Sequence, residues 1–312
     1  MKKVGIIGGS GFIGSYVTKL FLEEGSDVKV SATDTSKIEK YQHLKSLKNA
    51  NNLEICARNV EDIQALKTFV EDCEILIHCG TPFQLAVNDP KKELFDPTIK
   101  GTENFLNVIS ESKEVKKVVF VASVAAFNTN FPMPADGRSA DHVYSEADAP
   151  FISEESHPYA QAKYYADQAV RNYVNDHKDL AFEITSVYPV FVVGKPLSGR
   201  QDSTSVGLQF LLKNKLAPDP FMEMLYQHNV EFALVAVEDV AEGVFKAATT
   251  GDTHGKNYLL ASDSWKVADM TLLLNNKQPE ETSRIVYSNK LASDELGINF
   301  KSSQIPLNQF GA

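Results

Sequence analysis

The stretch Val4-Gly5-Ile6-Ile7-Gly8-Gly9-Ser10-Gly11-Phe12-Ile13-Gly14 decides the fold of this chain. Its first four residues read as a short buried strand that runs straight into a glycine turn. A helix-period stretch follows, with Phe12, Ile13, Tyr16, Val17, Leu20 and Phe21 recurring at helical spacing up to Gly25, a C-cap residue. The next strand spans Val28 to Thr33. Strand, glycine turn, helix and strand in that order is the context in which the GxxGxxG spacing of Gly8, Gly11 and Gly14 carries meaning. Small residues there permit a tight turn, close backbone approach to a diphosphate and close packing of helix on strand. Free N–H groups and the helix dipole favour an anion at that helix start. The pattern predicts a dinucleotide site built from Gly8, Gly11, Phe12, Ile13 and Gly14.

Further along, apolar strands at Leu53 to Ala57, Ile75 to Cys79, Val118 to Ala122 and Ile184 to Val187 alternate with helical patterns near 61–71, 98–112 and 157–177. Such alternation implies a Rossmann-type, doubly wound α/β fold, a parallel sheet covered on both faces. Residues 1–188, with 234–258 returning to them, form the expected dinucleotide-binding domain. Residues 189–233 and 259–312 form a smaller C-terminal α/β substrate-binding region. Ligands gather at the carboxyl ends of parallel strands, and three segments end there. They are His78-Cys79-Gly80-Thr81-Pro82-Phe83, which would pass beneath the cofactor ribose and nicotinamide, Ala122-Ser123-Val124-Ala125, which offers a hydroxyl, and Tyr188-Pro189-Val190-Phe191-Val192-Val193-Gly194.

The chemistry rests on Pro158-Tyr159-Ala160-Gln161-Ala162-Lys163. Residues i and i+4 stack on one helix face, so the Lys163 ammonium can lie beside the Tyr159 phenol. A free phenol has a pKa of about 10, and a nearby cation favours the phenolate, moving the group toward neutral pH. That is the chemistry of a carbonyl reductase or alcohol dehydrogenase. Taken alone, YxxxK describes many surface helices; it is the glycine turn that makes it informative. Ser123, at the end of a buried strand, completes a catalytic set with Tyr159 and Lys163.

The chain has 312 residues, 43% hydrophobic and 23% charged, enough for a large core. A net charge of -10 with no basic run argues against a nucleic-acid partner. Cys56, Cys73 and Cys79 are too few and too scattered for a disulfide framework and read as reduced thiols. No metal-ligand grouping stands out. Lys2 and Lys3 before an apolar run imitate a secretion signal, but glycines break the run, and no stretch approaches the length of a membrane span. The expectation is a cytoplasmic protein, monomeric or homodimeric, with a small-molecule carbonyl or alcohol substrate.

Together these segments resemble the extended short-chain dehydrogenase/reductase superfamily, and within it the dihydroflavonol reductase and cinnamoyl-CoA reductase group. Asp89-Pro90, Pro97-Thr98-Ile99-Lys100-Gly101-Thr102, Val192-Val193-Gly194 and Glu238-Asp239-Val240-Ala241 extend the likeness over nearly the whole chain. The resemblance implies that Tyr159 donates a proton to a carbonyl oxygen, that Ser123 hydrogen-bonds that oxygen, and that Lys163 holds the ribose hydroxyls and acidifies the tyrosine. It places Val60, Cys79, Gly80, Thr81 and Pro189 against the cofactor, Asn59 near the adenine, and Phe83 and Asn128 against the substrate, with Gln84 and Phe127 as further walls.

The cofactor choice departs from that group. Where its members carry an arginine for the 2′-phosphate of NADP(H), this chain has Thr33 followed by Asp34. Lys37 and Lys40 with Ser31 and Thr33 could hold a phosphate, whereas Asp34 could accept from the free ribose 2′-OH of NAD(H) and repel a phosphate. Both cofactors stay open. A second departure puts Ala236 where many extended members have histidine. Pro218-Asp219-Pro220 reads as a loop. Phe210, Phe221, Met222, Met224 and Tyr226 read either as a pocket for an apolar carbonyl compound or as core. The polar insertion 132–150 reads as a lid or a surface loop. Two alternatives accompany the reductase reading. One is a nucleotide-sugar epimerase or dehydratase, for which Arg200 alone offers a diphosphate contact. The other is a non-catalytic dinucleotide sensor.

Overall fold

The computed structural model describes residues 2–32, 34–57, 63–79, 89, 91–200 and 203–312. The strands, in chain order, are β1 (Lys3–Ile7), β2 (Asp27–Ala32), β3 (Leu53–Ala57), β4 (Ile75–His78), β5 (Lys117–Val121), β6 (Glu183–Pro189), β7 (Phe191–Val193), β8 (Glu231–Ala236), β9 (Asn257–Leu260) and β10 (Ser264–Lys266). Seven form one sheet in the order β3-β2-β1-β4-β5-β6-β9, and every pairing in it is parallel. The sequence-based fold class, a doubly wound Rossmann-type sheet, is what the chain adopts.

Period-two alternation along the strands explains how one sheet is covered twice. Val4 and Ile6, Ile75 and Ile77, Val119 and Val121 point into one core with Tyr16, Val17, Phe21, Val240 and Val244. Their neighbours Ile7, Leu76, Val118 and Phe120 point into the opposite core with Phe69, Phe105, Ile109 and Val170. Helices Phe12–Glu23 and Val237–Thr249 pack on each other over the first face. Helix Asp96–Ser110 packs between Ile63–Val70 and Pro158–Asp176 over the second. Gly25 ends the first helix as expected: at φ +80° it donates to Leu22 O while Ser26 N–H reaches Phe21 O, the paired bonds of a left-handed helix stop. Cys79 and Ala122, which the sequence assigns to strands, lie just past them, yet their N–H groups still donate to Ile7 O and Val187 O.

A second, three-stranded sheet in the order β10-β8-β7 stands beside the first. Its one face joins the large core through Val192, Ala233 and Val235, and its other face builds a third core with Leu212, Met222, Leu225, Trp265, Met270 and Leu273. β8 belongs wholly to this sheet, so the chain returns to the large one through helix Val237–Thr249 and β9. Pro218-Asp219-Pro220 starts a helix, Pro220–Gln227, because the Asp219 carboxylate accepts the Met222 N–H at 2.9 Å and Pro220 presets its first turn. The insertion 132–150 is stitched down. Tyr144 stacks on Tyr287 at 4.7 Å, their segments exchange backbone hydrogen bonds, and Glu146 accepts from Leu259 N–H.

The last helix, Gln304–Gly311, is held to this region by Asp263, which accepts from the Ser302 hydroxyl and from the Ser303 N–H and hydroxyl. Asp263→Ala leaves the buried Ser303 N–H and hydroxyl without their acceptor. We expect a loss of about 2–3 kcal/mol, read as a lowered denaturation midpoint.

Candidate active site

The glycine turn follows β1 directly. Gly8 has φ +75°, the left-handed region, and its N–H donates to Ser31 Oγ at 3.2 Å. Gly11 N–H donates to Gly8 O at 3.0 Å, closing the turn, and Gly11 is the cap position of helix Phe12–Glu23, with no side chain to close its first turn. A Cβ on Gly14 would lie 2.1 Å from Gly8 O, whereas one on Gly11 would meet that oxygen at 3.4 Å, ordinary contact. Gly14 therefore lets the helix close onto the turn's own backbone, and at Gly11 the turn is backbone alone. This cradle fits a dinucleotide diphosphate, with Phe12 and Ile13 opening the helix whose amides face it.

Sequence reasoning missed a support behind the turn. Ser15 donates its hydroxyl hydrogen to Gly11 O at 2.6 Å and lies 2.9 Å from His43 Nε2. With the serine hydrogen so used, the imidazole is the donor in that contact. Burial first, and then the Arg200 charge, hold His43 below the usual histidine range. On the helix's other side, Tyr16 donates to Lys195 O at 2.7 Å and ties the turn to the segment after β7.

The carboxyl ends of β4, β5 and β6 bring the remaining side chains to the same edge. Ser123 caps the short helix Val124–Phe127 by accepting the Ala125 N–H at 3.1 Å, and that helix packs against Pro158–Asp176. The latter starts sharply because the His157 ring accepts the Tyr159 N–H and Pro158 occupies the first turn. Tyr159 and Lys163 therefore sit on its opening turns, as the i, i+4 spacing requires. The Lys163 ammonium lies over the Tyr159 ring, 5.9 Å from its centroid, and Lys163 is only 8% exposed.

The electrostatics depart from the sequence expectation. Burial pushes the Tyr159 phenol up to about 12, rather than the ammonium drawing it toward neutrality. The cation faces the ring, and removing water from a phenolate costs more than that contact returns. Burial likewise draws Lys163 down to about 8, with Cys79 and then Asp167 opposing it. Cys79 itself is pushed up to about 12 by burial, so it is an uncharged thiol in the range where Lys163 titrates.

The helix that carries the pair continues the same stripe inward. Asp167, one turn beyond Lys163, accepts from Arg171 Nε at 2.6 Å and from the Tyr188 hydroxyl, and Arg171 Nη2 donates to Tyr188 at 2.9 Å. Tyr188 lies on β6 just before Pro189, which is thereby fixed at the site edge. These three were missed although the spacing 159, 163, 167, 171 was in view; a buried lysine needs a counter-charge on its own stripe.

Other expected residues fall out as follows. Asp34 accepts from the Ser36 N–H at 3.0 Å and from its hydroxyl at 2.6 Å, with Lys37 at 3.7 Å, and these bonds hold its carboxyl below the usual range, Ser36 foremost. It caps its own turn. Lys40 ends the single 3-10 turn Ile38–Lys40 just beyond. Asn128 is placed differently from its expected substrate-facing role: it is 1% exposed, with its amide donating to Met133 O and Tyr287 and its carbonyl accepting from Asn130 N–H, so it organises the loop from within. Phe127 is buried against Tyr144. The aromatic and methionine group does not line one pocket: Met222 is core, whereas Phe210 and Phe221 stand 44% and 49% exposed. His78 packs its ring on Phe105 and Phe120. Thr33, Asn59, Val60, Gly80, Thr81, Phe83 and Gln84 lie outside the described residues. No metal-holding group of histidine, cysteine or carboxylates occurs among the described residues, and none of their helices is long and apolar enough to cross a membrane.

Known proteins are similar to this chain in sequence and in fold. A model of the NAD dependent epimerase/dehydratase family matches residues 4–261. Cinnamoyl-CoA reductase CAD2 of Medicago truncatula is 30% identical over 259 residues, 82% of this chain and 74% of the relative. An anthocyanidin reductase of Vitis vinifera is 24% identical over 318 residues, 95% of this chain and 90% of the relative. Among solved structures, yeast methylglyoxal/isovaleraldehyde reductase Gre2 complexed with NADPH superposes with a TM-score of 0.80 at 20% identity, covering 99% of this chain and 96% of that one, a likeness of fold.

The glycine geometry yields a paired expectation. Gly14→Ala drives a methyl group into Gly8 O and should cost about 1–3 kcal/mol of stability together with dinucleotide binding. Gly11→Ala should fold as the parent does and lose only binding. Thermal melts beside a fluorescence titration with reduced dinucleotide separate the two effects, and a Gly14→Ala protein that melts and binds normally would contradict the turn described.

Proposed function

The chain belongs to the NAD dependent epimerase/dehydratase family as an extended short-chain NAD(P)-dependent oxidoreductase, and from that premise we propose that it reduces a ketone or aldehyde to an alcohol, or runs the reverse, with Tyr159 as the proton donor. The observation that carries this reading is the convergence of Ser123, Tyr159 and Lys163 on the sheet edge that also holds the glycine turn.

Bound there, the nicotinamide supplies hydride to the carbonyl carbon. The Tyr159 hydroxyl gives its proton to the carbonyl oxygen, and a phenol pushed up to about 12 is fully protonated at neutral pH, the state a donor needs. Ser123 already accepts the Ala125 N–H, which leaves its own hydrogen for the substrate oxygen. Lys163 donates to the ribose hydroxyls and balances the charge that proton transfer leaves on Tyr159. Gly8, Gly11, Phe12, Ile13 and Gly14 hold the diphosphate. By the family resemblance, Cys79, Gly80, Thr81 and Pro189 would serve the ribose and nicotinamide, Asn59 and Val60 the adenine side, and Phe83 the substrate. The small sheet and its helices, within 189–233 and 259–312, would form the substrate side, and Asn128 shapes its loop. Either dinucleotide satisfies this chemistry.

Relatives named for cinnamoyl-CoA and anthocyanidin, and a fold neighbour named for methylglyoxal and isovaleraldehyde, set the breadth of a substrate panel. Loss of reduced-nicotinamide absorbance with at least one aromatic or aliphatic carbonyl compound is the expected result. Turnover of sugar nucleotides alone would eliminate the reading. Tyr159→Phe should lower kcat by about 10²–10⁴-fold with dinucleotide affinity retained, whereas Lys163→Ala should weaken both; a fully active Tyr159→Phe removes the mechanism. Asp34→Ala takes away a negative charge from where the adenosine ribose would lie. It should raise affinity for NADPH severalfold relative to NADH in paired binding titrations.

A further inference from the structure

Behind the Tyr159–Lys163 pair lies a closed polar cluster that proton donation and cofactor holding do not use. Asp167 is 4% exposed and Tyr188 1% exposed. Arg171 Nε donates to Asp167 Oδ2 at 2.6 Å, and a guanidinium paired that closely calls for an ionised carboxylate, with the Tyr188 hydroxyl against its other oxygen. Burial pushes Asp167 up, and Arg171, Tyr188 and Lys163 work against it. Tyr188 is in turn seated on β6 with its hydroxyl 3.1 Å from Asn257 Oδ1 on β9. The carboxylate is therefore fixed to the sheet and not only to its own helix.

A buried ionic cluster is a poor device for stability, because well-packed apolar side chains of similar volume are often as good or better. Its position is the informative feature. Lys163 is drawn down by burial, and two groups that can carry negative charge, Cys79 and Asp167, oppose that shift. Cys79 stays a thiol up to about 12, which leaves Asp167 as the standing negative charge when Lys163 titrates. Tyr159, on the other side of the ammonium, is neutral over the same range.

We infer that Asp167 is a positioning residue for the proposed reaction: a carboxylate locked by Arg171 and Tyr188 that keeps the Lys163 ammonium protonated and aimed one helical turn away, at Tyr159. The inference rests on the reading of Lys163 given above. Arg171 is part of the device, since it holds Asp167 ionised in a place where burial alone would protonate it. Tyr188 couples the device to the strand end that carries Pro189. The cluster thus sets the upper pH bound of catalysis.

The test is the pH dependence of kcat/KM for a turned-over carbonyl compound, measured on the full-length enzyme from about pH 6 to about pH 10. The parent enzyme should lose activity along a basic limb as Lys163 deprotonates. Asp167→Asn should move that limb down by about one pH unit, a loss of about tenfold above the limb with little change below it. Asp167→Glu should restore it. Lys163→Arg, charged across the whole range, should abolish the limb. If Asp167→Asn fails to fold because Arg171 is stranded, the double variant Asp167→Asn/Arg171→Leu should move the limb in the same direction by less, since a cation leaves with the carboxylate. A uniform loss at every pH with the limb unmoved makes Asp167 structural and overturns the proposal alone. A limb that survives in Lys163→Arg overturns both the proposal and the role of Lys163.

Discussion

Seven strands hydrogen-bonded in a single direction leave all their carboxyl ends along one edge of the sheet, and every feature of the candidate site follows from that constraint. The glycine turn after β1, Cys79 after β4, Ser123 after β5 and Pro189 at the end of β6 are far apart in the chain. They become neighbours because β1, β4, β5 and β6 lie side by side in parallel. Parallel strands need a covering layer for each crossover, and the helix Pro158–Asp176 that leads into β6 is the layer that delivers Tyr159 and Lys163 to the same edge.

Placing an ammonium and a phenol at that edge buries the first and half-buries the second, and loss of water dominates their protonation. The phenol rises to about 12 and the ammonium falls to about 8, so two groups of nearly equal ordinary acidity move apart and the ammonium becomes the stronger acid. A protonated phenol beside a charged amine is a state suited to giving a proton to a nascent alkoxide. It differs from an acidified tyrosine waiting as phenolate. The cation's part falls after the transfer, when a negative charge stands on the tyrosine oxygen.

Family membership and local geometry meet unevenly across the molecule. The glycine turn and the Tyr–Lys helix keep the spacings read from the sequence, whereas the end of β2 is turned on itself: Asp34 spends its carboxylate on Ser36 and stands near Lys37. Ser31, a candidate for holding a phosphate, accepts the Gly8 N–H and belongs to the turn itself. The second departure, Ala236, lies 2% exposed at the end of β8, in the small sheet, away from the Tyr–Lys helix.

The sequence by itself determined the parallel sheet, because alternating apolar strands and helices leave few other ways to bury both faces. It also determined the glycine turn and the Tyr159–Lys163 pair, because each is fixed by local spacing: a left-handed residue at Gly8, a missing Cβ at Gly14, one helical turn between 159 and 163. Tertiary structure alone decided what burial does to those groups. It also decided which of Phe210, Phe221 and Met222 is core, whether Asn128 faces outward, and that Asp167, Arg171 and Tyr188 close behind the lysine. Those outcomes depend on desolvation and on partners distant in the chain, and spacing along a sequence carries neither.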